Sequence, residues 1–254
     1  MNYGLVLSGG GSRAAFGLGA VKYFEEIGLE FKAYSGASGG AIATTLLASG
    51  LSADESFQII KNIDFKQLIK FNYFRGSLFR YENEKEFLDS ILPFKNFEEL
   101  EKPLFINAVD FNTGETTYFH RGDLLSAVLA SCALFPVFKP HFKDGSYYID
   151  GGFTNNLPYE PLENVVDKTI AINVNPVRKL DYTNLTFWKK LKRVLALMFY
   201  ANIATRIHKV DIYIEPPEIG KFNFLDVGCL DKAYGMGYEY VKKLSLENIV
   251  KEQN

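Results

Sequence analysis

Apolar and polar positions along this chain switch between two periods. YGLVLS (3–8) is a short, continuously apolar run bounded by glycine, which predicts a buried strand. RAAFGLGAVKYFEEIG (13–28) follows with apolar residues at 16, 20, 21, 24 and 27, a helical stripe that ends at Gly28. FKAYSG (31–36) predicts a second strand, and GAIATTLLAS (40–49) a helix stopped by Gly50. Further on, 103–111, 169–175 and 211–216 are strand-like, while 122–132 and 237–252 have helical spacing. Strands alternating with helices predict an α/β fold, a three-layer α/β/α sandwich around a mainly parallel sheet. No repeat or composition break divides the chain. One domain over 1–254 is expected, with 1–175 as the core and 176–254 completing the same fold.

Composition narrows the picture. Of 254 residues 47% are apolar, enough for a packed core. The 22 Phe and 15 Tyr suit such a core and also a large apolar cavity. A formal charge of −2 gives no overall pull toward nucleic acid or an anionic surface, so charge arguments must be local. Cys132 and Cys229 fit no metal or redox spacing and are expected as buried thiols. The N-terminus lacks a basic region followed by a long apolar run, and the apolar stretch 194–201 is too short to span a bilayer. A reduced, cytoplasmic setting is the expectation.

Gly36-Ala37-Ser38-Gly39-Gly40 fits Gly-x-Ser-x-Gly between a predicted strand and a predicted helix. Such a turn lifts its central side chain to the sheet edge and needs small neighbours. The following helix aims its free N–H groups at the same point. Ser38 therefore reads either as a nucleophile or as a serine capping a helix. The ordinary partner of a nucleophilic serine is histidine. His120, His141 and His208 all lie in contexts that suit exposed polar residues better.

LSGGGSR (7–13) links the first strand to the first helix. Gly9-x-Gly11-x-x-Ala14 alone admits dinucleotide binding, but the second strand ends in Tyr34-Ser35 rather than in an acidic residue. The other reading is an oxyanion hole, where consecutive glycines let backbone N–H groups approach a reacting carbonyl. In YYIDGGFTNNLP (147–158), Asp150 ends a strand before two glycines. Taken alone it reads as a turn aspartate, although its position also reaches the sheet edge.

Taken together, five ordered blocks resemble the patatin-like phospholipase family, its bacterial acyl-ester hydrolase branch in particular. They are LSGGGSRAAFGLGAVKYFEEIG, YSGASGGAIATTLLASG, FEELEKPLFINAVDFNTGETTYF, AVLASCALFPVFKP and YYIDGGFTNNLP. The resemblance implies a Ser-Asp dyad without histidine, on Ser38 and Asp150. It implies oxyanion donors at Gly10, Gly11 and Gly39, with Gly9, Arg13, Gly36, Gly40, Gly151 and Gly152 supporting them. It also implies a lipid or other acyl-ester substrate, no cofactor and no metal. Three positions depart from the family pattern: Ala14 in place of glycine, Phe16 in place of histidine, and Ala37 in place of threonine. They bear on substrate shape, because none is a dyad position.

Two basic, aromatic stretches are candidates for peripheral membrane contact. Residues 61–80 carry five Lys/Arg against one Asp, where the family places a variable cap. Residues 187–209 carry six Lys/Arg and no acid, with apolar positions 187, 188, 191, 194, 195 and 198 on one helical face and Trp188 at one end. That pattern suits a helix lying in a membrane interface, or an amphipathic helix packed on the sheet. Two other functions stay open: an α/β-hydrolase triad of Ser38, His208 and Asp110 or Asp150, and a non-catalytic acyl-binding protein. Nucleic-acid binding is not expected, and oligomeric state is not legible.

Overall fold

The computed structural model describes residues 1–63, 69–71, 77, 79–81, 94–183, 185–248 and 253. Most of the basic stretch 61–80 therefore lies outside the described residues. Ten strands are described: β1 (Tyr3–Leu7), β2 (Phe31–Gly36), β3 (Ile69–Phe71), β4 (Phe79–Tyr81), β5 (Leu104–Asp110), β6 (Thr116–Phe119), β7 (His141–Lys143), β8 (Ser146–Asp150), β9 (Lys168–Ile172) and β10 (Ile212–Ile214). The described α-helices are α1 (Ala15–Glu26), α2 (Gly39–Ala48), α3 (Ala53–Lys61), α4 (Leu124–Ser131), α5 (Phe187–Ala204) and α6 (Leu230–Lys242).

The main sheet runs β10-β9-β1-β2-β5-β8-β7, with β6 also paired to β5. Strands β10, β9, β1, β2 and β5 are mutually parallel, as the alternation of elements predicts. β8 turns back antiparallel to β5 with Asp150 opposite Ala108, and β7 pairs antiparallel with β8. Strands β3 and β4 form a separate two-stranded hairpin.

Both faces of the sheet are buried, which explains why β1 is apolar throughout. Tyr3, Leu5 and Leu7 join the larger core with residues of α1, α2, α3, α4 and α6. Val6 faces the other way, into a smaller core with Ala33, Leu157, Leu162, Ala171 and Ile203 of α5. The two helical layers are thus unequal. Segment 157–166 and the end of α5 cover the second face.

The closing helix differs from its expected span. It runs Leu230–Lys242 rather than 237–252, and its buried stripe is Leu230, Ala233, Gly237 and Val241. Residues 249–252 are outside the described residues. Glycines at 235 and 237 read as poor helix formers, but Gly237 is where the chain packs backbone to backbone on α1. A methyl there would fall 2.0 Å from Phe16 O, and one at Gly19 would fall 1.9 Å from Tyr234 O. Close approach of the helices outweighs the propensity cost of about 1 kcal/mol per glycine. Helix α3, absent from the expected elements, carries a full capping box: Ser52 Oγ accepts from Glu55 N, and Glu55 Oε2 accepts from Ser52 N.

Candidate active site

The sharp turn between β2 and α2 holds Ser38 at φ 51°, ψ −123°, a backbone conformation that side chains rarely adopt. Its neighbours keep it there. Ala37 N donates to Leu7 O at 3.2 Å, Gly40 N to Ala37 O at 2.8 Å, and Ser38 N to the buried Ser131 Oγ at 2.8 Å. Ser38 itself is half-buried and so reachable, while Gly36 and Gly40 beneath it are buried.

The glycine loop lies against this turn. A methyl at Gly39 would fall 2.6 Å from Gly11 O and 2.9 Å from Gly11 N, so the first residue of α2 and the loop are in backbone contact. Gly11 has φ +55°, and a methyl there would fall 2.1 Å from Phe224 O. Gly9 is held from the side: its N–H donates to Asn156 Oδ1 at 3.0 Å, and its carbonyl accepts from Asn175 Nδ2. Arg13 ties the loop to the later chain, donating from Nε to Phe222 O at 2.8 Å. Burial lowers the guanidinium pKa, so Arg13 sits as an anchor rather than in open solvent. The N–H groups of Gly10, Gly11 and Gly39 have no hydrogen-bond partner among the described residues. The Ser38 N–H, by contrast, is already committed to Ser131.

Asp150 closes the third side. It ends β8, is 3% exposed, and its N–H donates to Ala133 O at 3.0 Å. Its Oδ1 accepts from Gly152 N at 2.8 Å. The Ser38 side chain lies close enough to the same carboxylate to favour its charged form. Burial pushes its pKa up to about 6, outweighing the opposing pull of nearby Ser38 and of the Gly152 hydrogen bond. A carboxylate with that affinity for a proton is a far better base for a hydroxyl than one at the ordinary value. Residues 112 apart in sequence therefore meet at one rim because β8 runs antiparallel to β5, bringing its C-terminal end beside the serine turn.

The histidines lie elsewhere. His120 and His208 are exposed, and His141 is half-buried with Nε2 2.9 Å from Ser126 Oγ. Among the described residues no bond joins any of them to Ser38. Asp110 accepts from Asn112 N at 2.8 Å and Thr113 N at 3.2 Å, which occupies it in its own turn. Phe16 is fully buried against Tyr240, with ring centroids 5.8 Å apart, and Ala14 is also buried. Both belong to the core.

Four polar residues that sequence reading passed over support the site: Ser131, Asn156, Asn175 and Asn202. Ser131 and Asn156 lie inside quoted blocks, but only the fold shows what they hold. Asn202 donates to Gly152 O and accepts from Asn156 N, each at 2.9 Å. Cys132 is half-buried beside Asp150, whose charge adds to burial in raising the thiol pKa. No group of three metal-ligating side chains is present among the described residues.

With this geometry in view, a comparison with family models is decisive: the patatin-like phospholipase model matches residues 5–163. The chain belongs to the patatin-like phospholipase family. Human patatin-like phospholipase domain-containing protein 6 is 27% identical over 277 residues, covering 94% of this chain and 20% of that protein. Neuropathy target esterase of Drosophila melanogaster is likewise 27% identical over 273 residues, 94% of this chain and 19% of its own. An uncharacterized NTE family protein of Mycobacterium tuberculosis is 29% identical over 175 residues, 67% of this chain and 48% of that protein. This patatin-like chain thus spans about a fifth to a half of the length of these relatives. Among solved structures, VipD from Legionella pneumophila superimposes with a TM-score of 0.63 at 15% identity, covering 96% of this chain and 66% of that one. That likeness concerns the fold.

Proposed function

We propose that this patatin-like chain is a serine acyl-ester hydrolase of phospholipase A or lysophospholipase type, working through Ser38 and Asp150. The observation that carries the reading is the strained Ser38 turn set beside a buried carboxylate, Asp150, whose pKa is raised to about 6. Asp150 takes the hydroxyl proton as Ser38 Oγ attacks the ester carbonyl. The N–H groups of Gly10, Gly11 and Gly39 receive the oxyanion, each well-placed donor worth about 3–4 kcal/mol of barrier. Collapse expels the alcohol, which leaves with the proton from Asp150, and Ser38 holds the acyl group. Asp150 then activates water to release the fatty acid.

Peripheral contact with a lipid surface, on the cytoplasmic side, belongs to the same reading. Its support is α5, on which Phe187, Leu191, Val194, Leu197 and Met198 are between 41% and 70% exposed. The apolar stripe faces solvent rather than the sheet, and the segment 187–209 carries no acid to offset its six cations. The Trp188 side chain lies outside the described residues. No helix among the described residues is long and apolar enough to cross a membrane.

Labelling by a fluorophosphonate probe tests the dyad. Wild type is expected to label, and Ser38→Ala and Asp150→Asn are not. A lipid panel then ranks phospholipid, lysophospholipid and simple esters. His208→Ala is expected to keep its turnover, whereas a triad enzyme would lose it. Failure of wild type to label or hydrolyse any ester would favour the acyl-binding alternative.

A further inference from the structure

The sharpest unassigned feature is the inner end of α5. Along most of its length the helix exposes its apolar stripe, yet its last turn is fixed. Ile203 is fully buried, Arg206 Nε donates to Glu160 Oε1 at 2.7 Å, and Arg206 also donates to Asn202 O at 2.6 Å. Within that turn sits Asn202, a residue with poor helix propensity. Both halves of its amide are used, and neither partner belongs to α5. Nδ2 donates to Gly152 O at 2.9 Å, and Oδ1 accepts from Asn156 N at 2.9 Å.

Each partner leads one step further to reacting groups. Gly152 N donates to Asp150 Oδ1 at 2.8 Å, so the first arm fixes the turn that aims the carboxylate. Asn156 Oδ1 accepts from Gly9 N at 3.0 Å, so the second arm fixes the loop that presents Gly10 and Gly11. From the β5 side Asn107 makes a parallel tie, its Nδ2 donating to Gly151 O at 3.3 Å and to Asn155 O at 2.6 Å. Asn202 is the tie that comes from α5.

The geometry points to Asn202 as a positioning residue that sets the Asp150 turn and the glycine loop in register and joins both to helix α5. This rests on the Ser38–Asp150 reading above and deepens it. The function of the site then depends on a side chain outside the family-model match, which ends at residue 163. Misplacing reacting groups by about 1 Å costs up to roughly 10²-fold in rate, so the contribution belongs in kcat rather than in substrate affinity. Losing the Gly152 restraint also loosens one of the bonds that hold the Asp150 pKa down, so the acidic limb of the pH profile should move upward.

The test is Asn202→Leu, which loses both arms, beside Asn202→Asp, which keeps the acceptor arm to Asn156. Both are assayed on the soluble ester p-nitrophenyl butyrate, with thermal melts and full pH profiles, and Ser38→Ala as control. The expected result is a folded Asn202→Leu with kcat down about 10- to 100-fold, KM within about twofold, and an acidic limb above that of wild type. Asn202→Asp should lose kcat as well, by less. Unchanged kcat and pH profile with only a lowered melting temperature would overturn the inference, as would loss of the fold in both variants. A fully active Ser38→Ala would instead sink the dyad reading itself.

Discussion

Asp150→Asn should inactivate the protein and at the same time stabilise it. Burial places the Asp150 carboxyl at about 6 against an ordinary aspartate value of 3.8, so the fold binds its proton more tightly than the unfolded chain does. Stability from this group is fully present below 3.8 and is lost as pH rises through about 6. The gap amounts to about 3 kcal/mol at neutral pH, since one pKa unit corresponds to about 1.4 kcal/mol. Asparagine removes the cost of the buried charge while keeping an oxygen for the Gly152 N–H and offering an N–H to Ser38 Oγ. The assay is urea unfolding of wild type and variant in parallel at several pH values from 4 to 7.5. Other carboxylates titrate equally in both proteins and cancel in the difference. The variant should match wild type near pH 4 and exceed it by up to about 3 kcal/mol above pH 6.5. A variant less stable than wild type at neutral pH, or a difference that does not grow with pH, would refute the claim that Asp150 is held at a desolvation cost.

The same carboxyl sets the rate profile: kcat/KM should fall about tenfold between pH 7 and pH 5 as Asp150 protonates, whereas an unperturbed aspartate would leave it nearly flat there. Gly39→Ala drives a methyl to 2.6 Å from Gly11 O, so the glycine loop must retreat from the serine turn. The expected loss is about 10²–10³ in kcat, comparable to removing an oxyanion donor, and wild-type kinetics in a folded variant would contradict the loop's role. Charge reversal at Lys189, Lys190, Lys192 and Arg193 should abolish binding to anionic vesicles while leaving hydrolysis of a soluble ester intact. Unchanged vesicle co-sedimentation would remove α5 as the contact.

How far the sequence discloses this molecule depends on how local each cause is. Strands β1 and β2 and helices α1 and α2 are legible because their signals, apolar runs and glycine stops, are contained within each element. The serine turn is legible for the same reason, since its pattern is contiguous. Strands β6 and β7 are not, because both are short, β6 is half-buried throughout and β7 puts an exposed Phe142 beside a buried Lys143. Their pairing to β5 and β8 supplies what their composition does not. The span of α6 is not legible, because the apolar spacing over 237–252 does not reveal the start at Leu230, and only the packing on α1 shows why a glycine is wanted at 237.

The candidate site divides along the same line. Ser38 and Asp150 each carry a local signature, but their proximity follows from sheet topology, from one strand reversing beside β5. The asparagines carry no signature at all. Asn156 and Asn202 look like ordinary turn and helix-surface residues until the fold supplies partners 147 and 50 positions away. That asymmetry has a physical origin. A nucleophile and its base are constrained by their own chemistry and so restrict the residues around them, whereas a positioning amide is constrained only by where its two partners lie. α5 shows the same thing on a larger scale: its amphipathic spacing allowed either a packed or a solvent-facing stripe. In the structure the helix is held toward its inner end by Phe199 against Phe153, Asn202, buried Ile203 and the Arg206–Glu160 pair beyond it. The stripe nearer its start is left to solvent. A stripe left uncovered by its own fold, on a helix tied at one end to the proposed base, places the lipid-contact proposal and the catalytic proposal on a single element.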